Sequence, residues 1–95
     1  MKTKVTLDAQ PLDFIRRQPP ESKRALREAL RDVESGHAFP IPLEDDLEGF
    51  YKVRVGDYRL ILQSVPGDSG PGFRVLFAER RRFAYVLFNQ IMGLG

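Results

Sequence analysis

Cysteine and tryptophan are absent from this chain of 95 residues, and histidine occurs once. Without thiols the chain can form neither disulfides nor thiolate metal sites, which is typical of a reducing compartment. Long apolar runs are missing too, since stretches such as residues 84–88 are far too short to cross a bilayer. The charged start of the chain is not followed by a signal-peptide core. We therefore expect a cytoplasmic protein that is neither secreted nor inserted into a membrane.

Residue sets that commonly carry metal or cofactor chemistry are also scarce. His37 has no second histidine to complete a Ser/His/Asp arrangement or a metal site. Glu44, Asp45, Asp46 and Glu48 do not follow a calcium-loop spacing, and they indicate a solvated loop. Neither a P-loop nor a dinucleotide fingerprint occurs. The sequence thus predicts no metal site and no cofactor.

Charge is distributed unequally along the chain. Residues 1–51 contain 8 Lys or Arg against 10 Asp or Glu, whereas residues 52–95 contain 7 against 3. A basic second half favours a polyanionic partner, provided that the cations converge in space. A solvated surface with no partner is the alternative interpretation.

Hydrophobic periodicity and turn signals predict the order of elements. Asp8 is placed to cap the first helix, Pro20 to open the second, and Gly36 to end it. Residues 37–48 and 66–72 are rich in proline, glycine or acids and indicate loops. The expected strands span residues 2–7, 51–55, 58–62 and 73–78, and the expected helices span about 9–18, 20–35 and 83–92.

This order predicts a single α+β domain over residues 1–95. An N-terminal strand is followed by an α-helical hairpin, then by a three-stranded antiparallel meander joining a four-stranded sheet, with a C-terminal helix. The helical hairpin is long enough for a crossover, so the first strand can join the sheet from the other side.

The hairpin around Gly56-Asp57 places cations on one face of the sheet. A two-residue turn there pairs Arg54 with Arg59 and puts Lys52 on the same face. Opposed arginines repel each other unless an anion or an acidic group lies between them. The pair favours an anion site over chance surface charge.

A second basic segment follows the last predicted strand. Arg80, Arg81 and Arg82 can reach the same face if that strand neighbours the hairpin, and Tyr85 would then overhang it. A tyrosine there suits proton transfer or the stacking of a base. Because apolar residues flank Tyr85, a purely structural place in the core is an equal alternative.

Residues 47–60 (LEGFYKVRVGDYRL) and the ending Arg80-Arg81-Arg82…Tyr85 resemble the RelE/ParE superfamily of toxin–antitoxin toxins. The first segment is similar to the family's aromatic-basic strand, its R-x-G-D-Y-R turn and the apolar strand that follows. The second is similar to the family's basic turn with a tyrosine four residues after Arg81. The helical hairpin and the element order extend the resemblance over nearly the whole chain.

The resemblance implies an endoribonuclease that inhibits translation by cutting mRNA, with the ribosomal A site as the expected place. Such toxins need no metal, because the RNA's own 2′-hydroxyl attacks the adjacent phosphate. The implied catalytic residues are Arg59, Arg81 and Tyr85. The implied phosphate-binding residues are Lys52, Arg54, Arg80 and Arg82.

The resemblance also implies a cognate antitoxin, whose acidic segment would wrap the chain and cover the basic face. Many relatives carry His-Arg where this chain has Arg80-Arg81, and its 66–72 segment is longer than usual. A gyrase-inhibiting branch shares the scaffold without the nuclease residues. A non-nuclease gyrase inhibitor and a degenerate protein-binding module are therefore the alternative functions.

Overall fold

A mixed five-stranded sheet with helices on both faces organises the molecule. The structure, a computed structural model, describes residues 3–43, 48–67 and 70–93. The sheet order is β1-β5-β4-β3-β2, with β1 parallel to β5 and every other pair antiparallel. The elements are β1 (Lys4–Leu7), α1 (Ala9–Arg16), α2 (Pro20–Ser35), β2 (Ile41–Pro42), β3 (Phe50–Val55), β4 (Tyr58–Gly67), β5 (Gly70–Arg80) and α3 (Arg81–Met92). The predicted α+β class and order are confirmed, including the crossover that places β1 beyond β5.

The helical hairpin begins and ends at the residues that the sequence indicated. Pro20 opens α2, and Gly36 closes it in the left-handed conformation with φ 83°. Asp8 precedes α1, but its side chain does not cap the helix. Both of its carboxylate oxygens accept hydrogen bonds from Arg74, at 2.7 and 2.9 Å. Asp8 therefore links the start of α1 to β5.

The main core lies between this hairpin and the sheet. Alternation along β4 buries Tyr58, Leu60 and Leu62 on the side of the sheet that the helical hairpin covers. The Tyr58 hydroxyl is satisfied by donating to Oε1 of Gln18 at 3.0 Å. The buried members of this cluster are Ile15, Leu26, Leu30, Tyr58, Leu60, Leu62, Val75 and Ala78.

The opposite face of the sheet is partly covered by α3. Phe88 is buried with Ile61 and Phe77, and its ring meets Phe50 edge-on at 5.5 Å between centroids. The terminal apolar segment therefore packs on the chain's own sheet. The helix begins at Arg81, two residues earlier than predicted, because β5 runs through Arg80 without an intervening turn.

The predicted 66–72 loop is wrong in extent. Strand pairing continues through this segment, since Val65 pairs with Gly72 and Pro66 pairs with Pro71. A β-carbon on Gly72 would lie 3.1 Å from the carbonyl oxygen of Lys4, so glycine here permits the close approach of β1. The glycines that indicated a loop therefore serve a long hairpin.

The predicted 37–48 loop also contains a short strand. Ile41 pairs with Lys52 and Pro42 pairs with Tyr51, so β2 adds a fifth strand at the sheet edge. Proline is tolerated there because an outer strand does not need every ladder donor. The acidic run Glu44-Asp45-Asp46 lies outside the described residues.

No helix in residues 3–43, 48–67 or 70–93 combines the length and the apolar character needed to span a membrane.

Candidate nucleic-acid interface

The β3–β4 hairpin has the predicted register. Gly56 occupies the left-handed region with φ 56°, which permits the tight turn. Arg54 pairs with Arg59 and Lys52 pairs with Ile61. These residues share the sheet face on which α3 lies, because Ile61 belongs to the cluster beneath that helix. We call this the basic face.

Helix α3 crosses the basic face antiparallel to β3, as three contacts show. At its start, the Arg81 amide donates a hydrogen bond of 2.7 Å to the Asp57 carbonyl in the turn. Midway, the Lys52 ammonium nitrogen lies 5.8 Å from the centroid of the Tyr85 ring. Near its end, Phe88 meets Phe50. The structure therefore brings Tyr85 over the strand that carries Lys52 and Arg54.

Lys52 and Arg54 form a row of cations along β3. They are two positions apart in the sequence and so lie about 7 Å apart along the strand. Arg54 is exposed and Lys52 is half-buried against the tyrosine ring. Tyr85 is itself half-buried, packing on the cluster around Phe88. Tyr85 thus lies over the basic face and also contacts the core cluster, whereas its predicted role in proton transfer or stacking stays a prediction.

Arg59 lies on the same face but is not exposed. Only 8% of this residue is accessible, which is unusual for an arginine. Its Nη1 donates to the carbonyl oxygens of Gly56 at 2.9 Å and of Tyr58 at 2.7 Å. The partners of this buried cation are therefore neutral backbone oxygens.

The three consecutive arginines do not act as one group. Arg80 pairs with Tyr58 across the ladder, and its guanidinium carbon lies 5.5 Å from the centroid of the Tyr58 ring. The Arg80 side chain therefore leaves the sheet on the face covered by α1 and α2. Its guanidinium also lies 3.8 Å from the Asp57 carboxylate. Arg81 and Arg82 are exposed in the first turn of α3. The structure thus joins Arg81 and Arg82, but not Arg80, to the end of the basic face.

Most cations of the basic face have no acidic partner within the part of the chain that the structure describes. Lys52, Arg54, Arg81 and Arg82 are absent from the ion pairs formed there. Arg74 differs, because its hydrogen bonds and charge interaction with Asp8 raise the pKa of its guanidinium. Cations that are exposed and unpaired remain available to bind phosphate.

Metal ligation finds no support among the described residues. Nowhere in them do three His, Asp or Glu side chains come together in a possible metal site. His37 shares a hydrogen bond of 2.6 Å with Ser35 at the exposed end of α2.

One participating residue was missed by the sequence analysis. Asp57 was assigned only to the turn, whereas its carbonyl anchors α3 and its carboxylate lies near Arg80. A backbone contact of this kind leaves no signal in side-chain identity, so no pattern in the sequence could have indicated it.

Comparison with solved structures identifies the same scaffold in toxin–antitoxin toxins. In the RelBE2 complex of Mycobacterium tuberculosis, the matching chain is 23% identical, with a TM-score of 0.68 over 85% of this chain and 100% of that one. In the archaeal RelE–RelB complex of Pyrococcus horikoshii, the matching chain is 20% identical, with a TM-score of 0.63 over 85% of this chain and 97% of that one. A mutant of the E. coli toxin RelE in the free state is 16% identical, with a TM-score of 0.71 over the full length of both chains.

No family model matches the chain, and no curated protein matches it by sequence. The structural matches nevertheless define the class of fold, which is that of the RelE/ParE toxins. The resemblance seen in the sequence is confirmed at the level of the fold.

Proposed function

We propose that this protein is the toxin of a type II toxin–antitoxin system and that it cleaves RNA. One observation carries the proposal. On a RelE-like fold, cations of β3 and of the first turn of α3 that form no ion pair within the described residues flank a tyrosine on one face of the sheet. Such a face suits a phosphate backbone and a base beside it. The proposed substrate is mRNA at the ribosomal A site.

The proposed reaction is a transesterification within the RNA. The 2′-oxygen forms a bond to the adjacent phosphorus and the bond to the 5′-oxygen breaks, leaving a 2′,3′-cyclic phosphate and a 5′-hydroxyl. The proton lost from the 2′-hydroxyl balances the proton gained by the leaving oxygen. Fixed cations stabilise the charge that develops on the phosphate oxygens.

The roles of individual residues follow from their places. Lys52 and Arg54 hold phosphates along β3, while Arg81 and Arg82 supply positive charge at the start of α3. Tyr85 transfers a proton or stacks on a base from its position over Lys52. The sequence resemblance assigned Arg59 to the transition state and Arg80 to phosphate binding, and these roles remain predictions.

The proposed partner is an antitoxin with an acidic, partly apolar segment. Two of the matched solved structures contain a toxin together with its antitoxin. In this chain, Phe83, Val86 and Ile91 on α3 are 48%, 59% and 65% exposed, beside the cations of the basic face. A segment that offers both acids and apolar side chains would cover both features.

Induced expression in a bacterial host, with primer extension on abundant messages, tests this proposal. We expect growth arrest and new 5′ ends inside translated regions, both lost in the double variant Lys52→Ala/Arg81→Ala. The matched control is Arg24→Ala/Arg27→Ala, which removes two exposed cations from α2 and should leave cleavage intact. Arrest with intact messages and altered plasmid supercoiling would favour a gyrase inhibitor instead. Absence of arrest would favour a binding module.

A further inference from the structure

The guanidinium of Arg59 is occupied in holding the β3–β4 turn. Its Nη1 donates to Gly56 and Tyr58, the carbonyls on either side of Asp57. Burial to 8% exposure leaves little of it for a ligand approaching from solvent. A buried cation that donates to backbone carbonyls restrains the loop that presents those carbonyls. Arg59 therefore fixes the conformation of the turn.

The Gly56-Asp57 turn also holds the start of α3. The Asp57 carbonyl, located between the two carbonyls that Arg59 binds, accepts the Arg81 amide at 2.7 Å. This amide is one of the first in the helix and has no partner inside it. The side-chain contact of Asp57 with Arg80 is longer, at 3.8 Å, and both side chains are more than half exposed. The backbone contact is therefore the stronger link.

We infer that Arg59 is a positioning residue, which acts through the Gly56-Asp57 turn to place α3 on the basic face. The inference rests on the proposed function, because the residues so placed, Arg81, Arg82 and Tyr85, are those assigned to RNA cleavage. A shift of the helix by a fraction of a turn would move them relative to Lys52 and Arg54. The role differs from direct contact with the reacting phosphate, which the family resemblance implies for Arg59.

Replacing Arg81 in two ways isolates the link. Arg81→Pro removes the amide donor and places a carbon near the Asp57 carbonyl, whereas Arg81→Ala removes the same charge and keeps the donor. Proline is well tolerated at the first position of a helix. The preceding residue, Arg80, already has the extended conformation that proline requires, with φ −67° and ψ 146°. The two variants thus differ only in the link to the turn.

Adding Arg59→Ala to each variant completes a thermodynamic cycle for cleavage of ribosome-bound mRNA by the purified chain. In the Arg81→Ala background we expect Arg59→Ala to lower kcat by about 10- to 100-fold with little change in KM. A small misplacement of catalytic groups has an effect of this size. In the Arg81→Pro background the link is already broken, and Arg59→Ala should have little further effect. An equal loss in both backgrounds would overturn the inference and place Arg59 on the phosphate.

Amide hydrogen exchange tests the link without any cleavage. The Arg81 amide should exchange at least about tenfold faster in Arg59→Ala than in the wild type, because its acceptor is no longer fixed. Unchanged protection would refute the positioning role. A wild-type chain that cleaves no mRNA in the presence of ribosomes would defeat the proposed function, and the exchange comparison would still decide this inference. Should Arg59→Ala fail to fold by circular dichroism, Arg59→Lys replaces it, since it keeps the charge but ends one bond short of Nη1.

Discussion

Opposed arginines on neighbouring strands show how burial changes what one residue type does. Arg54 and Arg59 face each other across the ladder, yet one is exposed and the other is 8% accessible. The exposed side chain keeps its charge available to solvent and ligands. The buried one exchanges water for two backbone carbonyls, which reduces the cost of removing a cation from solvent.

At the same scale, Phe88 is the side chain on which the packing of α3 depends. Phe88→Ala should lower the free energy of unfolding by about 3–5 kcal/mol, because the ring is 2% exposed and contacts Phe50. Urea denaturation followed by far-ultraviolet circular dichroism measures the change. The control is Val86→Ala on the exposed side of the same helix, with an expected change within about 0.5 kcal/mol. A loss for Phe88→Ala no larger than that of the control would show that α3 does not stabilise the sheet.

The long β4–β5 hairpin is the element that extends the sheet farthest. Its strands remain paired through the segment that was predicted to be a loop. The strand β1 joins β5 where Lys4 pairs with Gly72. A β-carbon at Gly72 would press on the carbonyl oxygen of Lys4 at 3.1 Å, whereas the carbonyl oxygen of Val65, at 3.5 Å, would be in ordinary contact. Backbone atoms in a ladder cannot move aside as a flexible side chain would.

Gly72→Ala should therefore destabilise the fold by about 1–3 kcal/mol through overpacking. The loss should appear first as faster amide exchange in β1, whose strand is the one displaced. Ser64→Ala on β4 is the control, since its side chain is exposed and it pairs one step away. Equal stability of the two variants would mean that β1 relaxes without cost.

Element order and register were predictable from the sequence, whereas strand length was not. Alternation from Lys52 to Leu62 and the Gly56-Asp57 turn define one hairpin only, and the structure agrees with it. Glycine and proline around residues 66–72 are ambiguous, because the same residues form turns and permit close strand contacts. The tertiary contact that resolves the ambiguity, between Gly72 and Lys4, is distant in sequence.

The candidate site was also only partly predictable, because strand periodicity is local whereas burial depends on tertiary contacts. Lys52 and Arg54 share a face by strand periodicity, and Tyr85 reaches them once α3 packs. The burial of Arg59 depends on its fit beneath neighbouring elements, which periodicity does not report. Arg80 leaves on the other side because β5 continues through it, a boundary that lies only two residues from the predicted helix start.

For the whole molecule, the cations form two separate surfaces on opposite sides of the sheet. The basic face carries Lys52 and Arg54, whereas α2 presents another group around a shallow concavity on the hairpin side. The members of that group are Lys23, Arg24, Arg27 and Arg31, with Glu28 among them. In the proposed binding mode along β3, the cations of α2 lie on the other side of the sheet from the RNA.

Salt dependence of RNA binding should distinguish these surfaces. For single-stranded RNA, Arg54→Ala should reduce the slope of log K against log salt concentration by about 0.7, the value for one lost phosphate contact. Arg24→Ala removes an equally exposed arginine from α2 and should leave the slope unchanged. Fluorescence anisotropy at several salt concentrations gives both slopes. A larger change for Arg24→Ala would place the RNA on the hairpin side.

The two-residue strand β2 affects the tendency of these molecules to aggregate through the sheet edge at high concentration. An open sheet edge offers a row of unpaired donors and acceptors on which another chain can extend the ladder. Here the edge beyond β3 ends in Ile41 and Pro42, and proline has no amide hydrogen to donate. Because the Leu43 amide donates to Phe50, the Ile41 amide also faces β3, and neither Ile41 nor Pro42 offers a donor to a neighbouring chain. The segment that the sequence marked as a loop thus opposes ladder extension where it covers β3.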